Sequence, residues 1–224
     1  MDLTRENPWL QLPSEQPYVL HEDKEQITLF NEPQSSNRQL HLDSLPEPFI
    51  GNPKKARVVF LGLNPGHHQK DAEAHRDPRL KKALLANLRG ELEEYPFYPF
   101  DPALDWSPVA TWWLKRTREL RSATGLTDSI LSQRIMAIEW FPYHSKSSGL
   151  PKTQVCNSQS YTFRLVRELC KDRLVIRKGS REHWRRVDAA LANVPELSSP
   201  QSGYITFRNL PPGVFQEIVD RLRS

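Results

Sequence analysis

The apolar run Val58-Val59-Phe60-Leu61, which ends in Gly62-Leu63-Asn64-Pro65-Gly66, constrains this chain more than any other stretch. A short unbroken apolar run bounded by turn residues suits a strand buried on both faces, as in parallel sheets. Gly62 permits a close backbone approach, Pro65-Gly66 bends the chain off the sheet edge, and Asn64 carries an amide that both donates and accepts. Open parallel sheets hold their ligands in loops at the carboxyl ends of strands. Asn64 is therefore the first candidate for chemistry, against the plain alternative that Asn-Pro-Gly is an ordinary turn.

Further strands are expected near residues 135 to 140, 173 to 177 and 203 to 207, the last with an alternative at 194 to 198. Helical stripes separate them. Asp77-Pro78 opens a helix carrying Leu80, Leu84 and Leu88, and Ser107-Pro108 opens one through Trp112 and Trp113 that Gly125 ends. Ser158 to Cys170 and a segment from Pro211 are amphipathic. Strands alternating with helices predict an α/β class, a three-layer α/β/α sandwich with a mainly parallel four-stranded sheet. At 224 residues one domain suffices, residues 51 to 224, with residues 1 to 50 as a Pro-rich arm packed on it. The arm's Trp9, Tyr18, Leu20 and Ile27 would otherwise be left in water.

Several classes are disfavoured. No apolar run reaches membrane-helix length, and the N-terminus lacks the basic and apolar regions of a secretion signal, so a cytoplasmic protein without membrane contact is expected. Cys156 and Cys170 match no zinc spacing and are too few for a four-thiolate cluster. No metal and no cofactor are expected. Charge is segregated: residues 1 to 50 hold nine acidic and three basic residues, whereas residues 164 to 186 hold nine basic and three acidic. Such a basic segment is a footprint of nucleic-acid binding, though solvated helix faces give the same count.

Gly62-Leu63-Asn64-Pro65-Gly66 resembles the first active-site motif of the uracil-DNA glycosylase superfamily, especially the mismatch-directed branch, which carries Gly-Ile-Asn-Pro-Gly after its first strand; only Leu63 differs. The resemblance runs over roughly residues 48 to 224. It implies that the protein hydrolyses the N-glycosidic bond of a flipped uracil or other damaged base in single-stranded or mismatched DNA, as a monomer. Asn64 would orient the attacking water, and backbone amides after Gly62 would meet the base. Superfamily enzymes place a base-binding group after a strand comparable to 135 to 140, where Glu139, Trp140, Tyr143 and His144 stand; Tyr143 would stack on the base. Arg177, Lys178 and Arg181 would contact phosphate, as would Ser180 at a helix N-terminus. The second motif, commonly His-Pro-Ser-like, falls on Ser198-Ser199-Pro200-Gln201-Ser202, so Ser199 is a candidate and the catalytic histidine is missing. His144 or the His67-His68 pair is its conceivable replacement. Two other classes stay open: a binding module of this fold without hydrolysis, and an α/β enzyme acting on a free nucleotide or small phosphorylated molecule.

Overall fold

The computed structural model describes residues 6–147 and 149–224. A four-stranded mixed sheet of β1 (Phe49–Ile50), β2 (Val58–Gly62), β3 (Ile135–Glu139) and β4 (Leu174–Arg177) runs in the order β1-β3-β2-β4. β2 lies between β3 and β4, parallel to both, while β1 is antiparallel to β3. All five residues of β2 are buried, as its unbroken apolar run predicts. Alternation divides them: Val59 and Leu61 join one core with Trp140, Leu165 and Trp184, whereas Val58 and Phe60 join another with Leu84, Trp113 and Ile218.

Nine helices among the described residues surround the sheet: α1 (Lys24–Asn31), α2 (Gln69–Ala74), α3 (Pro78–Arg89), α4 (Pro108–Arg116), α5 (Arg118–Thr124), α6 (Asp128–Arg134), α7 (Gln159–Leu169), α8 (Arg181–Val187) and α9 (Val214–Arg223). Local chemistry explains several boundaries. Asp77 accepts from the Arg79 amide ahead of Pro78, and Gly90 ends α3 in the left-handed region at φ 71°. The single helix expected between Ser107 and Gly125 is two, because Thr117 turns its hydroxyl back onto the Trp113 carbonyl (2.7 Å) and leaves helical geometry. Residues 67 to 76 contain α2, whose start is a capping box between His68 and Asp71.

The strand expected at 203 to 207 does not form. Gly203 adopts φ 66°, and Phe207–Asn209 is a short 3-10 turn. The alternative position is the one used: Glu196 bridges Arg177 in parallel, with the Arg177 amide donating to the Pro195 carbonyl (2.8 Å) and the Leu197 amide to the Arg177 carbonyl (3.0 Å). Side-chain chemistry overrides the β-prone Tyr-Ile-Thr-Phe: the Asn209 amide accepts from the Ser199 amide and donates to the Tyr204 carbonyl (both 2.7 Å), gathering the loop into a coil.

Within the described residues the arm is part of the core. Trp9 is buried edge-on to Tyr143 at 6.0 Å, and the Tyr143 hydroxyl donates to Asp23 Oδ2 (2.7 Å) while accepting from the Leu20 amide (3.3 Å). Asp23 also accepts from the Ser158 amide at 2.9 Å. A helix among the described residues long and apolar enough to cross a membrane is absent. Because Asp23 satisfies two buried donors, Asp23→Ala should cost roughly 2–3 kcal/mol, read as a lowered urea midpoint. An unchanged midpoint would show that the arm contributes nothing to the fold.

Candidate functional site

Parallel pairing of β2 with β3 sets Gly62 opposite Glu139, at the carboxyl ends of both strands. A cavity of about 390 Å³ opens there. Asn64, Pro65 and Gly66 line it after β2, Ala137 and Glu139 from β3, Lys178 after β4, and Trp112 and Trp113 from α4. Lys178 Nζ donates to Glu139 Oε1 at 3.0 Å and lies 5.1 Å from the Trp112 ring centre and 4.8 Å from that of Trp113. Burial pushes the Glu139 carboxyl above its ordinary value against the pull of Lys178. Gly62 leaves room for that carboxylate, since a Cβ there would stand 2.0 Å from Glu139 Oε2.

The Asn64 amide nitrogen donates to the Pro65 carbonyl (2.8 Å) and to Ser145 Oγ (2.9 Å). Among the described residues nothing donates to its carbonyl oxygen, which is the free end of the amide. Deeper in, the buried Glu47 accepts from the Tyr98 hydroxyl (2.9 Å) and lies 3.4 Å from both His75 Nε2 and His144 Nε2. Burial works to raise the Glu47 carboxyl, but the His75 hydrogen bond, the charges of His144 and His75 and the Tyr98 hydroxyl hold it below the usual range. Burial lowers the His144 imidazole, opposed by Glu47 and by the Gly66 and Leu45 carbonyls.

Two clusters have the residue types of a metal centre: Glu47, His75 and His144, and His41, Asp43 and His67. Neither presents lone pairs to one point. The Leu45 amide already donates to His75 Nδ1 (3.0 Å), and both His144 nitrogens face carbonyl oxygens, Gly66 at 2.6 Å and Leu45 at 2.9 Å. In the second cluster the His41 and His67 rings lie stacked, 3.6 Å apart and 8° from parallel. In-plane lone pairs of parallel rings do not converge on an ion.

Of the residues singled out in the sequence, Asn64, Pro65, Gly66, Glu139, His144 and Lys178 meet at this cavity. Gly62 and Leu63 do not line it; the Gly62 carbonyl accepts from the Trp184 indole at 3.1 Å, and Leu63 packs against the core. Tyr143 is wholly buried and engaged with Asp23, so it is not placed to stack on a base. His144 is not a free replacement histidine, because its two ring nitrogens face the Gly66 and Leu45 carbonyls, one of which the neutral ring's single N–H can reach. Arg177 is buried against Glu196, its Nη2 at 3.0 Å from the carboxylate. Ser180 precedes α8 but makes no capping hydrogen bond, Arg181 is exposed outside the cavity, and Ser199 sits on the exposed loop held by Asn209. Within the basic segment Arg164, Lys171, Arg173 and Arg185 are paired with Glu6, Glu168, Asp172 and Glu182. Sequence reasoning missed Glu47, His75 and the Trp112-Trp113 wall. Only the tryptophan pair carried a signal, two adjacent indoles on a short helix, of which one must face away from the core.

Gly62→Ala is expected to fold, because only the tip of a flexible side chain must move, but to push Glu139 off Lys178. Trp112 and Trp113 fluorescence should then respond to Lys178→Met in the wild type and not in the Gly62→Ala background; equal responses would leave Gly62 without that role. Stability should also fall between about pH 7 and 5. His41, His144 and His183 are each held below the ordinary value by burial, so the unfolded chain binds their protons first and gains as pH drops. Urea midpoints independent of pH across that window would contradict this. Comparison with family models, curated proteins and solved structures finds no match.

Proposed function

We propose that the chain is a DNA glycosylase-like hydrolase that takes a flipped uracil or other damaged base into the cavity at the sheet's carboxyl edge and hydrolyses its N-glycosidic bond. The proposal includes the finer view of the fold, a three-layer sandwich of the uracil-DNA glycosylase kind with a mainly parallel sheet. One observation carries it: a cavity of about 390 Å³, within the range of small-molecule sites, has Asn64 among its lining residues, the indoles of Trp112 and Trp113 as a wall, and the Glu139–Lys178 pair.

In this scheme Trp112 takes the stacking role first given to Tyr143. The Asn64 carbonyl oxygen holds a water toward the anomeric carbon; an amide orients rather than abstracts a proton. The water oxygen bonds to that carbon as the N-glycosidic bond breaks with its electrons on the base, the Lys178 charge stabilises the departing anion, and the proton the water loses passes to solvent or to that anion. DNA, single-stranded or mismatched, is the partner, bound by a monomer. A binding module without hydrolysis is the second reading, favoured by the lack of a histidine in Ser198–Ser202 and by the engagement of His144 with two carbonyls.

Asn64→Ala should reduce base excision by about a hundredfold, the usual cost of removing one positioned polar group, with DNA affinity nearly intact. Asn64→Asp should hold or raise the rate, since a carboxylate both orients and activates water. A wild-type protein that releases no base from single-stranded or mismatched substrates would overturn the enzymatic reading and leave the binding module standing.

A further inference from the structure

Trp112 forms the cavity wall, and a second cation lies on it besides Lys178. The Arg116 guanidinium carbon is 4.4 Å from the Trp112 ring centre and 5.4 Å from that of Tyr204. Its setting is unusually fixed. The Arg116 carbonyl accepts from the Ile205 amide (3.0 Å), which ties the end of α4 to the loop after Ser198, and Asn209 holds the Tyr204 carbonyl of that loop (2.7 Å). Gly203 packs so closely that a Cβ would stand 2.9 Å from the Trp112 ring and 3.6 Å from Arg116 Nε.

Among the described residues no carboxylate pairs with Arg116, and its Nε is sealed from solvent without a hydrogen-bond partner, while Nη1 and Nη2 are not so sealed. The other cation on this wall, Lys178, is ion-paired with Glu139 and lines the cavity itself. A half-buried guanidinium that is oriented by two rings, uncompensated by an acid and open at its two terminal nitrogens is a preorganised receptor for a tetrahedral oxyanion. Its place is also informative. It lies on Trp112, which lines the base cavity, without lining the cavity itself, and next to Gly203, Tyr204 and Ile205 of the following loop.

We infer that Arg116, braced by Trp112 and Tyr204, binds a phosphodiester of the DNA strand that delivers its base to the cavity. This rests on reading the cavity as a base pocket. It moves the phosphate contact from the β4–α8 segment, where Arg177 and Lys178 are paired with carboxylates, to the junction of α4 with the 198–205 loop. Arg116 is a binding group, and takes no part in breaking the glycosidic bond.

The test uses the full chain, a short single-stranded oligodeoxynucleotide carrying one uracil, deoxyuridine 5′-monophosphate and free uracil, with binding read by tryptophan fluorescence. Arg116→Met keeps the apolar stem on the rings and removes the charge. It should weaken oligonucleotide binding about tenfold, the worth of one charge-assisted contact, and reduce the salt slope by about 0.7, the value of one single-strand phosphate. Arg116→Lys should weaken binding while keeping the slope, and Arg89→Met, an exposed arginine at the end of α3, should change neither. Free uracil should bind all variants alike. An unaltered slope in Arg116→Met, with uracil still bound, would overturn the assignment and leave the base cavity intact. Loss confined to the mononucleotide would assign Arg116 to a terminal phosphate and overturn the strand contact. Failure of the unaltered protein to bind uracil or oligonucleotide would remove the base-pocket reading and this inference with it.

Discussion

The contact on which the site depends is the Glu139 carboxylate seated where a side chain at position 62 would stand. Parallel strands in register make this placement unavoidable: Val58 pairs with Ile135, and four residues later Gly62 meets Glu139. A buried carboxylate is costly unless it is paired, and the pair comes from the third parallel strand, where the chain leaves β4 at Lys178. Three strand ends therefore converge on one ion pair. The two indoles of α4 close its other side, giving Lys178 aromatic faces in place of water.

The depth of the site comes from the arm. Glu47 reaches the cavity because β1 adds to β3 just after it, and the Glu47 amide donates to the Pro142 carbonyl at 2.8 Å. The Leu45 amide then fixes His75, and the Leu45 carbonyl fixes His144. A segment of low regular structure thus sets the positions of two histidines from other parts of the chain, its own buried polar groups being satisfied in the process.

Legibility in the sequence followed the physical source of each element. β2, β3 and β4 were legible because continuous burial demands continuous apolar residues, and the start of α3 because Asp77-Pro78 marks it. β1 was not, since two residues preceded by Pro46 and Pro48 carry no periodicity, and the false strand at 203 to 207 followed from β propensity that Asn209 overrides. At the site, Asn64 and Glu139 were reached through strand-end position, and Lys178 through the charge of its segment. Tyr143 was misjudged because its partner, Asp23, lies 120 residues away in an arm that local reasoning cannot dock. Arg177 was misjudged because a window of net charge takes no account of Glu196, which enters the same edge from outside that window.

The two carboxylates of the cavity answer to opposite environments. Glu47 has a phenol and two imidazoles within reach and is held below the usual range, whereas Glu139 has one ammonium set against nearly complete burial, and the charge of Glu47 adds to the upward push. Groups of one chemical type whose titrations are driven apart in one cavity are suited to different tasks. Glu47 is the fixed charge: it is acceptor to Tyr98 and neighbour to His75 and His144, and protonating it would undo that network. Glu139 is the group whose proton affinity burial raises, and it stands at the end of a strand in contact with Lys178. Under the base release proposed above, a moving proton is therefore better assigned to Glu139 than to His144, whose two nitrogens face backbone carbonyls.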